Sequence, residues 1–141
     1  MRIGRFVITF TLIATMVLPI LFHWNRTHVF NPTWPGHARF HVVLGDCMMF
    51  GFSVVGLWLL WRKSLDQGVN VLVATSVPII AWGSFFMASF VPDSGEEEMP
   101  HIVGIPLNLF IAGFLFFVTV VGYGLNGRGL HKESRNDSSP S

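Results

Sequence analysis

Four long apolar stretches, separated by short polar segments, dominate the chain. They cover residues 6–22, 42–61, 69–91 and 102–125, and Asp46 is the one charged residue within them. A helix needs about 20 mostly apolar residues to cross the hydrocarbon core of a bilayer. Backbone polar groups in lipid must be bonded within each segment, and the period-2 alternation of a membrane barrel is absent. The pattern therefore predicts an all-α, polytopic membrane protein with an antiparallel bundle of four transmembrane helices.

Composition supports this class of protein. Of the 141 residues, 51% are hydrophobic and 12% are charged, whereas a soluble domain carries roughly 25% charged residues. Such a chain is neither a disordered segment nor a nucleic-acid binder with a basic face. Its single cysteine, Cys47, excludes a disulfide-stapled domain. The lipid bilayer is the expected partner, and no nucleic acid is.

The basic residues predict the orientation in the membrane. Arg26 and Arg39 would lie on one side of a four-span array, and the other seven would flank the opposite side: Arg2, Arg5, Arg62, Lys63, Arg128, Lys132 and Arg135. Since basic residues favour the cytoplasmic side, both termini are predicted to be cytoplasmic, in the inner or plasma membrane if the source is bacterial. Loops 23–41 and 92–101 would face outside, and residues 126–141 would form a flexible cytoplasmic tail.

Asp46 is the single ionisable residue within a predicted span, which makes it a candidate functional residue. One interpretation pairs it with Arg39, Arg26 or a backbone amine near the outer interface. The other makes it a buried carboxylate that handles protons, with a pKa raised because burial disfavours the charged form. In the catalytic version of this second interpretation, Asp46 orients a histidine such as His41. Arg39, which lies on the same helix face as Asp46, is the third candidate catalytic residue.

Histidines are concentrated in the predicted outer loops, which contain five of the six: His23, His28, His37, His41 and His101. A helix is predicted to begin near Pro35, so that His37 and His41 lie at i and i+4 on one face. Three interpretations remain open: a metal site, a metal-free catalytic site, and interfacial residues that bond lipid headgroups and loop backbone.

In the metal interpretation, His37 and His41 supply two imidazole ligands from adjacent helical turns. A third ligand would come from His23, from His101, or from a carboxylate of the acidic run Glu96, Glu97 and Glu98. The cofactor would be a transition metal. Copper would suit the nearby sulfur atoms of Met48, Met49, Met99 and Cys47, whereas zinc or iron would suit carboxylate ligands.

The predicted arrangement of four spans resembles that of the DoxX-like group of small bacterial membrane proteins, which have four antiparallel helices and little mass outside the bilayer. The segment Asn31-Pro-Thr-Trp-Pro-Gly-His-Ala-Arg-Phe-His41 looks like a signature of an uncharacterised branch within or near that group. Members of the group have been linked to redox and quinone-related steps, so the resemblance implies such a setting. It implies no catalytic residues here, because the group has no uniform ones.

Two hypotheses for function follow. The first is an accessory or subunit-type membrane protein of a larger membrane complex, with an outward-facing pocket rich in histidine and tryptophan. The second is a small membrane enzyme or redox component that acts on a lipophilic molecule through His37, His41 and Asp46, with or without a metal. A transporter ranks below both, because four short spans leave little room for alternating access.

Overall fold

The structure, a computed structural model, describes residues 2–91 and 100–137, with side chains for 3–91 and 100–127. Within these residues the chain forms four helices and one hairpin, in the order α1 (Arg2–His23), α2 (Gly36–Trp61), α3 (Gln67–Ala88), β1 (His101–Ile102), β2 (Ile105–Pro106) and α4 (Leu107–Asp137). Each helix contains a segment long and apolar enough to cross a membrane. The prediction of four such helices is therefore confirmed.

Two boundaries of the predicted fourth span differ from the structure. Residues 102–106 are not helical, because they belong to an antiparallel hairpin that pairs His101 with Pro106. Its turn places Val103 at φ 53° and Gly104 at φ 77°, and such positive φ angles match a two-residue hairpin turn rather than a helix. At its other end α4 continues to Asp137. The predicted tail is thus helical over residues 126–137, and its flexibility stays a prediction.

The other helix ends follow local chemistry. Pro35 occupies the N-cap of α2, and the helix begins at Gly36 as predicted. Proline suits this position because the first helical N–H groups have no partner within the helix. The Asp66 side chain caps α3 by accepting from the N–H of Val69. This helix ends at Ala88, three residues before the predicted end of the third span.

The helices form a bundle in which α1 and α3 each pack against α2 and α4 and approach each other across the diagonal. Two apolar clusters form its interior: one contains Ile8, Leu12, Leu60, Val71 and Ala74, and the other contains Trp82, Ala112 and Leu115. We call the end where α1 finishes at His23 the histidine end, and the end near Arg5 and Trp61 the arginine end.

Helices α1 and α4 approach most tightly at the arginine end. A Cβ atom placed on Gly4 would lie 2.6 Å from both the backbone nitrogen of Asn126 and the carbonyl oxygen of Gly122. A Cβ on Gly122 would in turn lie 2.9 Å from the Val7 side chain. Small residues of this kind let helix backbones come together where no hydrophobic effect drives them, as in lipid.

Candidate functional site

Asp46 lies almost completely buried at the histidine end, with 4% of its surface exposed. Its Oδ1 is 2.7 Å from Nδ1 of His23, and its Oδ2 accepts a hydrogen bond of 3.0 Å from Nε1 of Trp24. Both oxygens are therefore bonded to the end of α1. A buried carboxylate is tolerated only when it is paired and hydrogen-bonded, and these two contacts meet that requirement.

Arg39 takes a different partner from the one that the sequence suggested. Its Nη2 donates a hydrogen bond of 2.9 Å to the carbonyl oxygen of Trp34. The guanidinium thus holds the end of the loop against the first turns of α2. Neither Arg39 nor Arg26, which were considered as partners of Asp46, bonds it in the structure. His23 and Trp24 bond it instead.

The bond to Asp46 determines the state of the His23 ring. An ionised carboxylate only accepts hydrogen bonds, so Nδ1 of His23 carries the hydrogen. In the neutral ring, Nε2 is then left with a free lone pair, as in other aspartate–histidine pairs. The pair consequently presents a proton acceptor at Nε2, and the bond to Asp46 holds the ring in this tautomer and orientation.

Residues 24–35 form a loop whose aromatic rings lie against this pair. The His28 ring centre is 5.4 Å from that of His23 and 5.2 Å from that of Trp34, while Trp24 meets Phe30 edge-on. Burial lowers the pKa of His28 below its ordinary value of 6.5; His23 lowers it further, and Asp46 partly opposes the change. A neutral imidazole therefore packs beside the His23–Asp46 pair.

The contact between His23 and Asp46 also shows how far α2 is displaced along α1. Asp46 is the eleventh residue of α2, yet it meets the last residue of α1. At a rise of 1.5 Å per residue, the first ten residues of α2 extend about 15 Å beyond the end of α1. His37 and His41 both lie on this projecting segment.

A pocket of about 210 Å³ opens beside the pair, between α1, α2 and α3. His23, Asp46 and His41 supply its charged or titratable side chains. Its other walls are largely apolar and include Met49, Trp82 and Phe85. The structure therefore brings two predicted catalytic residues, Asp46 and His41, to one pocket, and adds His23, which the sequence suggested as a metal ligand.

Two residues that line this pocket, Trp82 and Thr15, form a hydrogen bond between two helices. Nε1 of Trp82 on α3 donates to Oγ1 of Thr15 on α1 at 2.8 Å, and Thr15 itself donates to the carbonyl oxygen of Thr11. Neither Trp82 nor Thr15 stands out in the sequence as a partner of the other. Each lies among apolar residues, and only the packing of α1 against α3 reveals that a buried indole N–H needs an acceptor there.

Replacing Thr15 by valine should lower the free energy of unfolding by about 1–2 kcal/mol, because the buried Trp82 N–H loses its acceptor. Thermal unfolding of the purified protein in detergent micelles measures the effect. Thr75→Val is the matched control. Thr75 is equally buried and also bonds a carbonyl oxygen in its own helix, but no side chain in the described residues donates to it. Equal losses for the two variants would contradict the assigned role of Thr15.

The histidines do not gather around one point. His37 and His41 lie close, with their Nε2 atoms 3.1 Å apart. Among the described residues, however, no group of three or more His, Cys, Asp or Glu side chains is placed to hold a metal ion. His23 is bonded to Asp46, His101 lies exposed in β1, and the suggested ligands Glu96–Glu98 and the nearby Met99 lie outside the described residues.

A family model covers nearly the whole chain. Residues 7–135 match the family of unknown function DUF6640, and the chain belongs to this family. No curated protein and no solved structure matches the chain. The family carries no assigned activity, so function must be argued from the site itself. The similarity to the DoxX-like group stays a prediction that this match does not test.

Proposed function

We propose that this protein is an integral membrane protein that binds a lipophilic small molecule in the pocket at the histidine end, where His23 accepts a proton from the molecule's polar group. The observation that carries the proposal is a buried carboxylate, Asp46, bonded to a histidine in an otherwise largely apolar pocket. The second hypothesis from the sequence was a membrane enzyme or redox component acting on a lipophilic molecule through His37, His41 and Asp46; the proposal keeps the lipophilic molecule and Asp46 and gives the proton-accepting role to His23. Binding and proton acceptance are its two separable parts.

The surface of the bundle supports a lipid environment. Large apolar side chains are exposed on all four helices, among them Phe10, Phe52, Leu72, Ile80 and Phe117. From Arg5 to His23, α1 rises about 27 Å at 1.5 Å per residue, close to the roughly 30 Å of a bilayer core. The distribution of basic residues then directs the arginine end to the cytoplasm and the His23–Asp46 pair to the outer interface.

The volume of the pocket limits the ligand. A cavity of about 150 Å³ in another protein accommodates benzene, so about 210 Å³ accommodates one ring with a few substituents. Trp82 and Phe85, whose rings stack at 5.5 Å, provide aromatic surface for a planar group. A lipophilic molecule with a single ring as its head, and any longer tail left in the bilayer, fits these dimensions.

The chemistry of the pair selects a ligand with an acidic hydroxyl. Nε2 of His23 is a lone-pair acceptor because Nδ1 carries the hydrogen that is bonded to Asp46. A phenol-type hydroxyl near Nε2 would therefore donate its hydrogen bond to this atom and transfer its proton to it. The thioether of Met49 and the aromatic walls would hold the ring without competing for the proton.

The compound 4-nitrophenol tests this proposal, because its ionised form has a visible absorption band. We expect the purified protein in detergent to produce a saturable phenolate band below the pKa of the free probe. Asp46→Asn should remove most of the band. The asparagine amide would donate to Nδ1 of His23, so the hydrogen moves to Nε2 and the acceptor is lost. His23→Asn should reduce the band as well.

Two controls separate binding from proton acceptance. The methyl ether 4-nitroanisole has no proton to give, and Asp46→Asn should bind it as the unaltered protein does. His101→Asn changes an exposed histidine away from the pair and should leave the phenolate band unchanged. An undiminished band in His23→Asn would contradict proton acceptance. Failure of both probes to bind saturably would contradict the pocket as a ligand site and favour the accessory-subunit hypothesis.

A further inference from the structure

His37 and His41 form an exposed pair on the first two turns of α2. Their Nε2 atoms are 3.1 Å apart, and their ring centres are 4.4 Å apart at an interplanar angle of 82°. The two rings come from successive turns, and one Nε2–H donates a hydrogen bond to the other Nε2, so a metal ion would take the place of this shared hydrogen. This arrangement differs from the His23–Asp46 pair, because no carboxylate in the described residues bonds either ring.

The distance between the two nitrogens fits a shared metal ion. With metal–nitrogen bonds of about 2.0–2.1 Å, a separation of 3.1 Å corresponds to a nitrogen–metal–nitrogen angle of about 98°. That angle lies nearer to the right angle of a square-planar or tetragonal site than to the tetrahedral angle. Copper(II) prefers such tetragonal geometry and binds nitrogen ligands most tightly among the divalent first-row metals.

The position of the pair suits a metal that arrives from water. His37 lies nine residues before Asp46, so it stands about 13 Å further along α2 than the end of α1. Both histidines are exposed. The described residues provide no third ligand, and we expect water or another small ligand in the remaining coordination positions.

We propose that His37 and His41 chelate one copper(II) ion through their Nε2 atoms, with water in the remaining positions. The site lies beside the proposed ligand pocket, and the two share the His41 side chain. It keeps the two imidazole ligands suggested by the sequence, His37 and His41, and leaves out the third protein ligand that was expected from His23, His101 or the acidic run. Two ligands on adjacent turns of one helix bind as a chelate, so the loss of either should weaken binding far more than the loss of an isolated histidine.

Copper(II) titration followed by electron paramagnetic resonance tests the proposal on the full chain without a histidine tag. The exposed thiol of Cys47 is replaced by serine in all samples, because thiols bind and reduce copper. We expect one copper(II) per chain with a spectrum that shows coupling to two nitrogen atoms. His37→Ala and His41→Ala should each weaken binding at least tenfold and leave coupling to one nitrogen.

Two variants make the test specific to this geometry. His101→Ala removes an exposed histidine from the hairpin and should leave copper affinity unchanged. Combining His41→Ala with Leu44→His keeps the number of histidines but places the second one two turns from His37, about 10 Å along the helix, and should not restore binding. Absence of stoichiometric copper, or equal affinity in His37→Ala, would overturn the proposal.

Discussion

Replacing Asp46 by alanine should lower the free energy of unfolding by about 2–3 kcal/mol, because two hydrogen bonds to a charged group are lost together. The loss should be smaller than the summed free energies of the two hydrogen bonds. His23 and Trp24 are partly exposed and bond water once the Asp46 side chain is removed. The loop after α1 should also detach from α2. Thermal unfolding in micelles measures the first effect, and trypsin cleavage after the exposed Arg26 measures the second.

Asp66→Ala is the matched control for this prediction. Asp66 is also an aspartate that accepts from a nitrogen, but it caps α3 at the arginine end. Its removal should cost about 0.5–2 kcal/mol as a lost helix cap and should leave cleavage after Arg26 unchanged. If Asp46→Ala and Asp66→Ala accelerate that cleavage equally, Asp46 does not hold the loop.

Even a single methyl group should disturb the approach of α1 to α4. Gly4→Ala places its Cβ 2.6 Å from two backbone atoms of α4, and backbone atoms cannot move aside as a flexible side chain does. The helices must therefore separate along their contact. We expect a loss of about 2–3 kcal/mol, typical of overpacking at a tight contact, measured as a lower unfolding temperature in micelles.

Gly124, which also lies in α4, provides a control for which the free energy of unfolding should rise and not fall. A Cβ at Gly124 meets no atom within 4 Å, so Gly124→Ala should stabilise the protein by about 0.5–1 kcal/mol through helix propensity alone. A destabilised Gly124→Ala together with an unaffected Gly4→Ala would show that the α1–α4 approach differs from the one described.

Hydropathy predicts the helices of this chain well because each helix corresponds to one continuous run of apolar residues in the sequence. Four apolar stretches of membrane-spanning length produce four helices, and proline at position 35 marks the start of α2. The start of α4 was mispredicted because residues 102–106 are apolar, as a helix would be. Gly104 and Pro106 were the available signs of a turn before the helix, and the apolar pattern outweighed them.

The candidate site was predicted only in part. Asp46 stands out in the sequence as the single charge in a span, and the i, i+4 spacing brings His37 near His41 on any helix. The prediction that pairs Asp46 with Arg39, Arg26 or a backbone amine is wrong, since His23 and Trp24 bond it. That reasoning considers one helix at a time and contains no information about which residue of a neighbouring helix lies opposite.

Local sequence patterns suffice to predict the four apolar helices of the described residues, their apolar surfaces and the positions of the titratable groups. Each of these features depends on the composition of one helical turn or one span. That His23 and Trp24 bond Asp46, and that Trp82 bonds Thr15, follows only from the packing of the helices against one another. These pairs depend on how far one helix is displaced along another. All the contacts between the helices determine that displacement together, including the close approach at Gly4 and the contacts of the loop over residues 24–35.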